Sequence, residues 1–363
     1  MTILLNEIRR KPILWLLAFV PVLFIVAKVK HDSHTLLFVL SVLAIVPLAA
    51  LLSLATEAVA AKTGDTVGGL LNATLGNLTE LVIALAALRA GQYMLVKASI
   101  AGAIVTNSLY MLGMSFLLGG LKSHTQEFNR MSARLQAGLL FLATVALLVP
   151  SAISEADGAT ARFTQQISVG LSVMLIAAYG LGLLFSLKTH KELFAAVGHG
   201  HDEEPPFRIG VALAMLAVVT VLVALVSEVF VESVQKAAES FGMTPAFVGF
   251  IVVALVGGAA EMASAFAGAR KNRLDLSVGI ALGSASQIAL FVAPVLVLLS
   301  YVIGPTPMDL RLWPGAVLMM LIAALTAVLV TNSGRSSWFV GVLVLMVYSI
   351  FAMTLYLLPP TVQ

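Results

Sequence analysis

Two glutamates, Glu80 and Glu261, are the residues of this chain best placed to do chemistry. Each sits deep in a long apolar run, in the patterns Gly76-Asn77-Leu78-Thr79-Glu80 and Gly257-Gly258-Ala259-Ala260-Glu261. The chain has 18 carboxylates, and the other sixteen fall in polar stretches or near the ends of apolar ones. A charge at bilayer depth costs at least about 2.5 kcal/mol, so it is rarely retained without a role. Lys97 and Arg311 lie close enough to an end of their runs to reach water along their stems. The bland alternative is a protonated Glu bonding a neighbouring helix, but two matched copies point to one shared site. Asn72, Gly76 and Glu80 follow an i, i+4, i+8 stripe, and Asn77 lies three before Glu80. Gly257, Gly258, Glu261 and Ser264 form the matching face of the second run.

Carboxylates with amide and hydroxyl oxygens make an all-oxygen site, which suits hard cations such as Ca²⁺ with six to eight oxygen ligands. The chain has no cysteine, and no histidine lies on either stripe, which disfavours Zn²⁺ or Cu. Two Glu charges neutralise one divalent ion, and the same two can take up protons instead. Competition at one site gives exchange, because an empty, doubly charged site crosses a membrane at high cost. The glycines allow close helix packing, and they also allow a helix to break and turn carbonyls toward an ion.

The elements that must position these residues follow from composition. Of 363 residues, 60% are hydrophobic and 11% charged, with mean hydropathy +1.02. A soluble domain is about a quarter charged. This excludes a soluble enzyme, a disordered chain and a nucleic-acid-binding module, and leaves an integral polytopic membrane protein in contact with lipid. A helix needs about 20 apolar residues to span the hydrocarbon core. Eleven segments qualify: 12–28, 35–55, 66–88, 93–119, 132–152, 163–187, 208–232, 245–268, 274–303, 311–331 and 337–358. They lack the alternation of a membrane barrel. Basic Arg9, Arg10 and Lys11 precede the first segment without a small-residue cleavage site, so it reads as a retained helix. The N-terminus and every second loop carry 14 of the 21 Lys and Arg residues. That bias puts the N-terminus in the cytoplasm and the C-terminus on the opposite side, in a plasma membrane such as a bacterial inner membrane.

The halves repeat. Gly76 and Gly257, Glu80 and Glu261, and Gly102 and Gly283 are all separated by 181 positions. Polar clusters follow the last pair: Thr106, Asn107 and Ser108, then Ser284, Ser286 and Gln287. Gly69 and Gly249 also correspond. The reading is an all-α fold of eleven transmembrane helices. Residues 1–34 are an N-terminal helix and loop, 35–187 a first five-helix repeat, 188–207 an acidic, His-containing cytoplasmic linker, and 208–363 a second repeat. Five is odd, so the second copy is inverted, as in secondary transporters with midplane sites.

These stretches closely resemble the Ca²⁺/H⁺ antiporter (cation exchanger) family of the cation/Ca²⁺ exchanger superfamily. Gly68-Gly69-Leu70-Leu71-Asn72-Ala73-Thr74-Leu75-Gly76-Asn77-Leu78-Thr79-Glu80-Leu81 is similar to its first signature, GGLLNATFGNATEL. Val256-Gly257-Gly258-Ala259-Ala260-Glu261-Met262-Ala263-Ser264-Ala265 resembles the second, VGNAAEHASA. Gly283-Ser284-Ala285-Ser286-Gln287-Ile288-Ala289-Leu290-Phe291-Val292-Ala293-Pro294 resembles GSSTQIALFVAP. The resemblance implies one N-terminal helix, two inverted five-helix repeats and an acidic cytosolic segment. It makes Glu80 and Glu261 the cation and proton carboxylates, Asn77 and Gln287 polar partners, and Gly76 and Gly257 the helix breaks. Asn72, Ser284 and Asn107 complete the expected site. The chain departs from the second signature at Gly258, where the family has Asn, and at Met262, where it has a His associated with proton handling. Proton coupling is then expected to rest on the two glutamates alone.

Weaker signals remain. Glu57 near the cytoplasmic end of the second span, and Glu228 and Glu232 near the outer end of the seventh, are expected at entrances, where their charge attracts cations. The plainer reading is ordinary interfacial charge. His199, Gly200, His201, Asp202, Glu203 and Glu204 form either a cation sensor or a solvated loop. His31 and His34 flank Asp32 in an outer loop, and the methionines read as lipid or core contacts. HExxH, GxSxG and P-loop patterns are absent, so the expectation is a secondary transporter rather than an enzyme. It has no cofactor, and its partners are inorganic cations and protons. The expected reaction is exchange of Ca²⁺ for protons. The alternatives are a Na⁺-coupled exchanger and an uncoupled cation channel. The residues leave the oligomeric state open.

Overall fold

The computed structural model describes residues 11–63, 65–153, 161–190 and 208–357. Arg9, Arg10 and the His199–Glu204 tract of the expected linker lie outside the described residues. A single 3-10 turn opens α1 (Pro12–Val29), which packs on α2 (His34–Lys62). α3 (Asp65–Leu75) and α4 (Leu78–Arg89) follow, then the long α5 (Tyr93–Ser123), α6 (Arg130–Ile153) and α7 (Ala161–Leu184). The later half comprises α8 (Ile209–Ser240), α9 (Pro245–Gly257), α10 (Ala259–Arg270), α11 (Leu274–Ile303), α12 (Pro314–Thr331) and α13 (Trp338–Leu357). Among the described residues, nine helices are long and apolar enough to cross a membrane. The bent pairs α3–α4, at 41°, and α9–α10, at 60°, raise the number to eleven if each is one span.

The third and eighth apolar runs are thus each divided where the glycines stand. α3 ends at Leu75 and α4 starts at Leu78 across Gly76 and Asn77, while α9 and α10 meet at Gly258. α2 has 29 residues, about 43 Å at 1.5 Å per residue. It therefore carries Glu57 inside the helix rather than beyond it. α8 likewise runs on to Ser240, past Glu228 and Glu232. The fold is not purely helical. β1 (Thr125–Glu127) and β2 (Arg335–Ser337) pair antiparallel, with Gln126 opposite Ser336. Three polar residues in a loop give no periodicity from which to read a strand.

Helix bounds repeat at the spacing of the motifs. α4 and α10 start 181 residues apart and end 181 apart, and α5 and α11 start 181 apart. Both long helices change to a π-helical turn just past their polar cluster, at Thr106–Met111 and Ile288–Val292. Such turns re-aim side chains and recur at functional sites. Packing repeats too. α4 packs on α8 and on the second half of α11, as α10 packs on α2 and on the second half of α5.

The loops fall into two layers. On one face Arg89 pairs with Glu228 at 3.1 Å, Lys97 with Asp309, and the Tyr93 hydroxyl donates to the Thr306 carbonyl at 2.6 Å. Gln126 donates to Asn272 at 2.9 Å and Glu127 pairs with Arg335 at 2.8 Å on the other face. These are the two sets into which alternate loops divide in the sequence.

Candidate functional site

Each helix break places a glutamate in the first turn of a new helix, Glu80 in α4 and Glu261 in α10. A helix N-terminus carries unpaired N–H groups and the positive end of the dipole, which favour a carboxylate. The broken helices before them, α3 and α9, end in carbonyls without intrahelical partners. One is taken up locally, because Gly76 N–H donates to Asn72 O at 2.9 Å. Another is held from outside, where the Tyr179 hydroxyl of α7 donates to Ala73 O at 2.7 Å.

The two breaks meet. A Cβ added to Gly257 would lie 3.0 Å from Glu80 Cγ and 3.5 Å from its Cδ. The bare glycine is what lets the second break approach the first glutamate. Glu80 and Glu261 are close enough to interact electrostatically. Glu80 Oε1 and Glu261 Oε2 are both buried without a hydrogen-bond partner. A buried carboxylate oxygen left unpaired is costly, so the two enclosed oxygens mark a place that a cation or a proton would satisfy.

Around them runs a chain of amides and one hydroxyl. Asn107 Nδ2 donates to Ser284 Oγ at 2.9 Å, and Ser284 Oγ donates to Asn77 Oδ1 at 2.6 Å. Asn77 Nδ2 in turn donates to Gln287 Oε1 at 2.7 Å. Ser284 also hydrogen-bonds to Glu261. Gln287 Oε1 would lie 3.7 Å from a Cβ at Gly76. Asn107, Ser284 and Asn77 are nearly fully buried, so their amide orientations are held by one another rather than by water.

The structure therefore brings together Asn77, Glu80, Asn107, Gly257, Glu261, Ser284 and Gln287, with Gly76 at the first break. Asn72 stands one turn before that break, tied to it by its carbonyl. Glu57, Glu228 and Glu232 lie apart from this cluster. Glu57 is exposed on α2 and accepts from Ser53 Oγ at 3.2 Å, while Glu228 is held by Arg89. Glu232 is exposed one turn beyond Glu228. The two departures, Gly258 and Met262, are neighbours: a Cβ at Gly258 would lie 3.2 Å from the Met262 methyl and 3.6 Å from Asn107 Oδ1. The thioether fills the space that the glycine leaves. Sequence reasoning missed Tyr179, whose signal was a lone hydroxyl in an apolar run. It also missed Gln136, whose buried Oε1 has no partner. Among the described residues no group of three or more His, Cys, Asp or Glu could hold a metal.

Comparisons with known proteins agree with this geometry. The sodium/calcium exchanger protein family matches residues 33–188 and 211–357. The chain is 39% identical over 359 residues to a Ca²⁺/H⁺ antiporter of Aphanothece halophytica, covering 95% of this chain and 96% of that one. It is 39% identical over 340 residues to the Ca²⁺/H⁺ antiporter ChaA of Bacillus subtilis, covering 93% and 96%. The structure of native YfkE superposes with a TM-score of 0.83 at 37% identity, over 96% of this chain and all of that one. An H⁺/Ca²⁺ exchanger, CAX, shares the fold at 17% identity and a TM-score of 0.72. The chain belongs to the sodium/calcium exchanger family, in the branch of the Ca²⁺/H⁺ antiporters.

Proposed function

We propose that the protein exchanges Ca²⁺ for protons across a membrane, with Glu80 and Glu261 as the shared cation and proton carriers. The observation that carries this reading is the pair of enclosed, unpartnered carboxylate oxygens at two facing helix breaks. The relatives named as Ca²⁺/H⁺ antiporters support the same ions. Two bidentate carboxylates supply four oxygens, and break carbonyls or water complete the six to eight that Ca²⁺ takes. With the cation gone, protons neutralise the same two carboxylates, so the return step carries protons. The Ser284 hydroxyl has one hydrogen and two acceptors, Asn77 Oδ1 and Glu261. A protonated Glu261 donates to Ser284 and leaves that hydrogen on Asn77, whereas an ionised one competes for it.

In this reading α2–α7 and α8–α13 are inverted five-helix repeats, with α1 outside them. The face bearing the Asn272 loop is cytoplasmic, the N-terminus lies on that side, and the membrane is a bacterial plasma membrane. The driving force is the proton gradient. The test is reconstitution into vesicles with an imposed pH gradient. Ca²⁺ is expected to collapse the gradient in wild type and to fail in Glu80→Gln and Glu261→Gln. Ca²⁺ flux that follows a Na⁺ gradient, or passes as uncoupled current, would overturn the reading.

A further inference from the structure

An exchanger must open its site to one face at a time, and two repeat-related contacts are made at one end of this molecule and missing at the other. The helices flanking the site carry the same motif, Leu54-Ala55-Thr56-Glu57 on α2 and Leu225-Val226-Ser227-Glu228 on α8. The register is supported by burial, since the Thr56 and Ser227 hydroxyls are both enclosed without a partner. α8 packs on α4 as α2 packs on α10. The basic residues closing those site helices, Arg89 and Arg270, are 181 positions apart. Arg89 is therefore to Glu228 as Arg270 is to Glu57. The first pair is joined at 3.1 Å. Among the described residues no ion pair joins the second: Glu57 takes the Ser53 hydroxyl, and Arg270 is exposed.

The second contact differs in the same sense. Gly102 of α5 lies directly on the Phe250 backbone of α9, and Gly249 lies on Ala98. Gly283 is the counterpart of Gly102 on α11. A Cβ there would meet only Gln136 Oε1, at 3.7 Å. Val67 and Leu70 of α3 are exposed, whereas Val248, Phe250 and Ile251 of α9 are buried. One seam is shut and its repeat partner is open.

We infer that Arg89–Glu228 and Arg270–Glu57 are alternating latches of the transport cycle, and that this structure holds the first closed and the second open. In the opposite state α3 moves onto Gly283, Arg270 reaches Glu57, and Arg89 releases Glu228. This inference rests on the antiport reading, and it gives the two exposed glutamates a gating role instead of a purely attractive one. An exposed pair is weak, so breaking it should shift the populations by about 2- to 5-fold.

The chain has no cysteine, so Gln136→Cys in the full-length protein provides one reporter thiol in the open seam. Its rate of labelling by a membrane-impermeant maleimide, added from the Asn272 face, reports how often that seam is open. Arg89→Gln and Glu228→Gln are each expected to slow labelling about 2- to 5-fold, and the swapped pair Arg89→Glu with Glu228→Arg to restore it. Arg270→Gln is expected not to slow it. Unchanged labelling in both Arg89→Gln and Glu228→Gln, failure of the swap to restore it, or slowing by Arg270→Gln would overturn the proposal. Labelling needs no transport. Proton-coupled flux of the wild type in the same vesicles separates failure of the latch from failure of the antiport reading.

Discussion

Two adjacent glycines at the second helix break make a sharp test, because only one faces a carboxylate. In Gly257→Ala the new methyl would stand 3.0 Å from Glu80 Cγ and 3.5 Å from Cδ. Carbon atoms pack at about 3.5–4.0 Å, so the Glu80 side chain must retreat by several tenths of an ångström. Overpacking of this kind costs about 1–3 kcal/mol. If the displaced carboxylate is a cation ligand, that cost falls on the bound state and lowers affinity by about 5- to 150-fold, at 1.4 kcal/mol per tenfold. In Gly258→Ala the closest side-chain atom is the Met262 methyl at 3.2 Å, the free end of a flexible chain. That methyl moves aside, and affinity should change by less than about threefold. The assay is the Ca²⁺ concentration dependence of gradient collapse in vesicles, with thermal unfolding in detergent as a check on folding. Equal losses in the two variants, or an unchanged Gly257→Ala, would refute the placement of Glu80 against the second break.

Ser284→Ala removes the centre of the amide chain and leaves Asn77 Oδ1 and Asn107 Nδ2 without their partner. Each orphaned group costs about 1–3 kcal/mol, so melting temperature and Ca²⁺ affinity should both fall, and Ser284→Thr should recover most of each. Tyr179→Phe frees the Ala73 carbonyl and should cost about 1 kcal/mol of stability, measured by thermal unfolding, while the two carboxylates remain able to exchange. Ca²⁺ affinity should rise with pH, because fewer protons compete for the two carboxylates. The slope approaches about tenfold per pH unit for each proton displaced, and Glu261→Gln should flatten it in the same titration.

Much of this architecture is legible in the residues, and the rest is missing for physical reasons. The 181-residue spacing was visible in Gly76, Glu80 and Gly102, and the helix bounds of α4 and α10 carry the same spacing. Asn77, Asn107, Ser284 and Gln287 stood out because polar groups inside apolar runs must find partners. Which partner each finds depends on how α5 and α11 cross the breaks, and nothing local encodes that. Ser284 as the shared centre, Tyr179 on the Ala73 carbonyl, and Arg89 on Glu228 all join residues more than a hundred positions apart. Gly258 and Met262 look like two separate departures in the sequence. In space they are one unit, in which a longer side chain fills the room left by a missing one.

The central claim is that one cation and the returning protons use the same two carboxylates. Calorimetric titration of Ca²⁺ into the purified protein tests it most directly, repeated in buffers of different ionisation enthalpy to count protons. Ca²⁺ binding to wild type should release protons, and fewer or none in Glu80→Gln and Glu261→Gln. Full Ca²⁺ binding to wild type with no proton released would contradict the account.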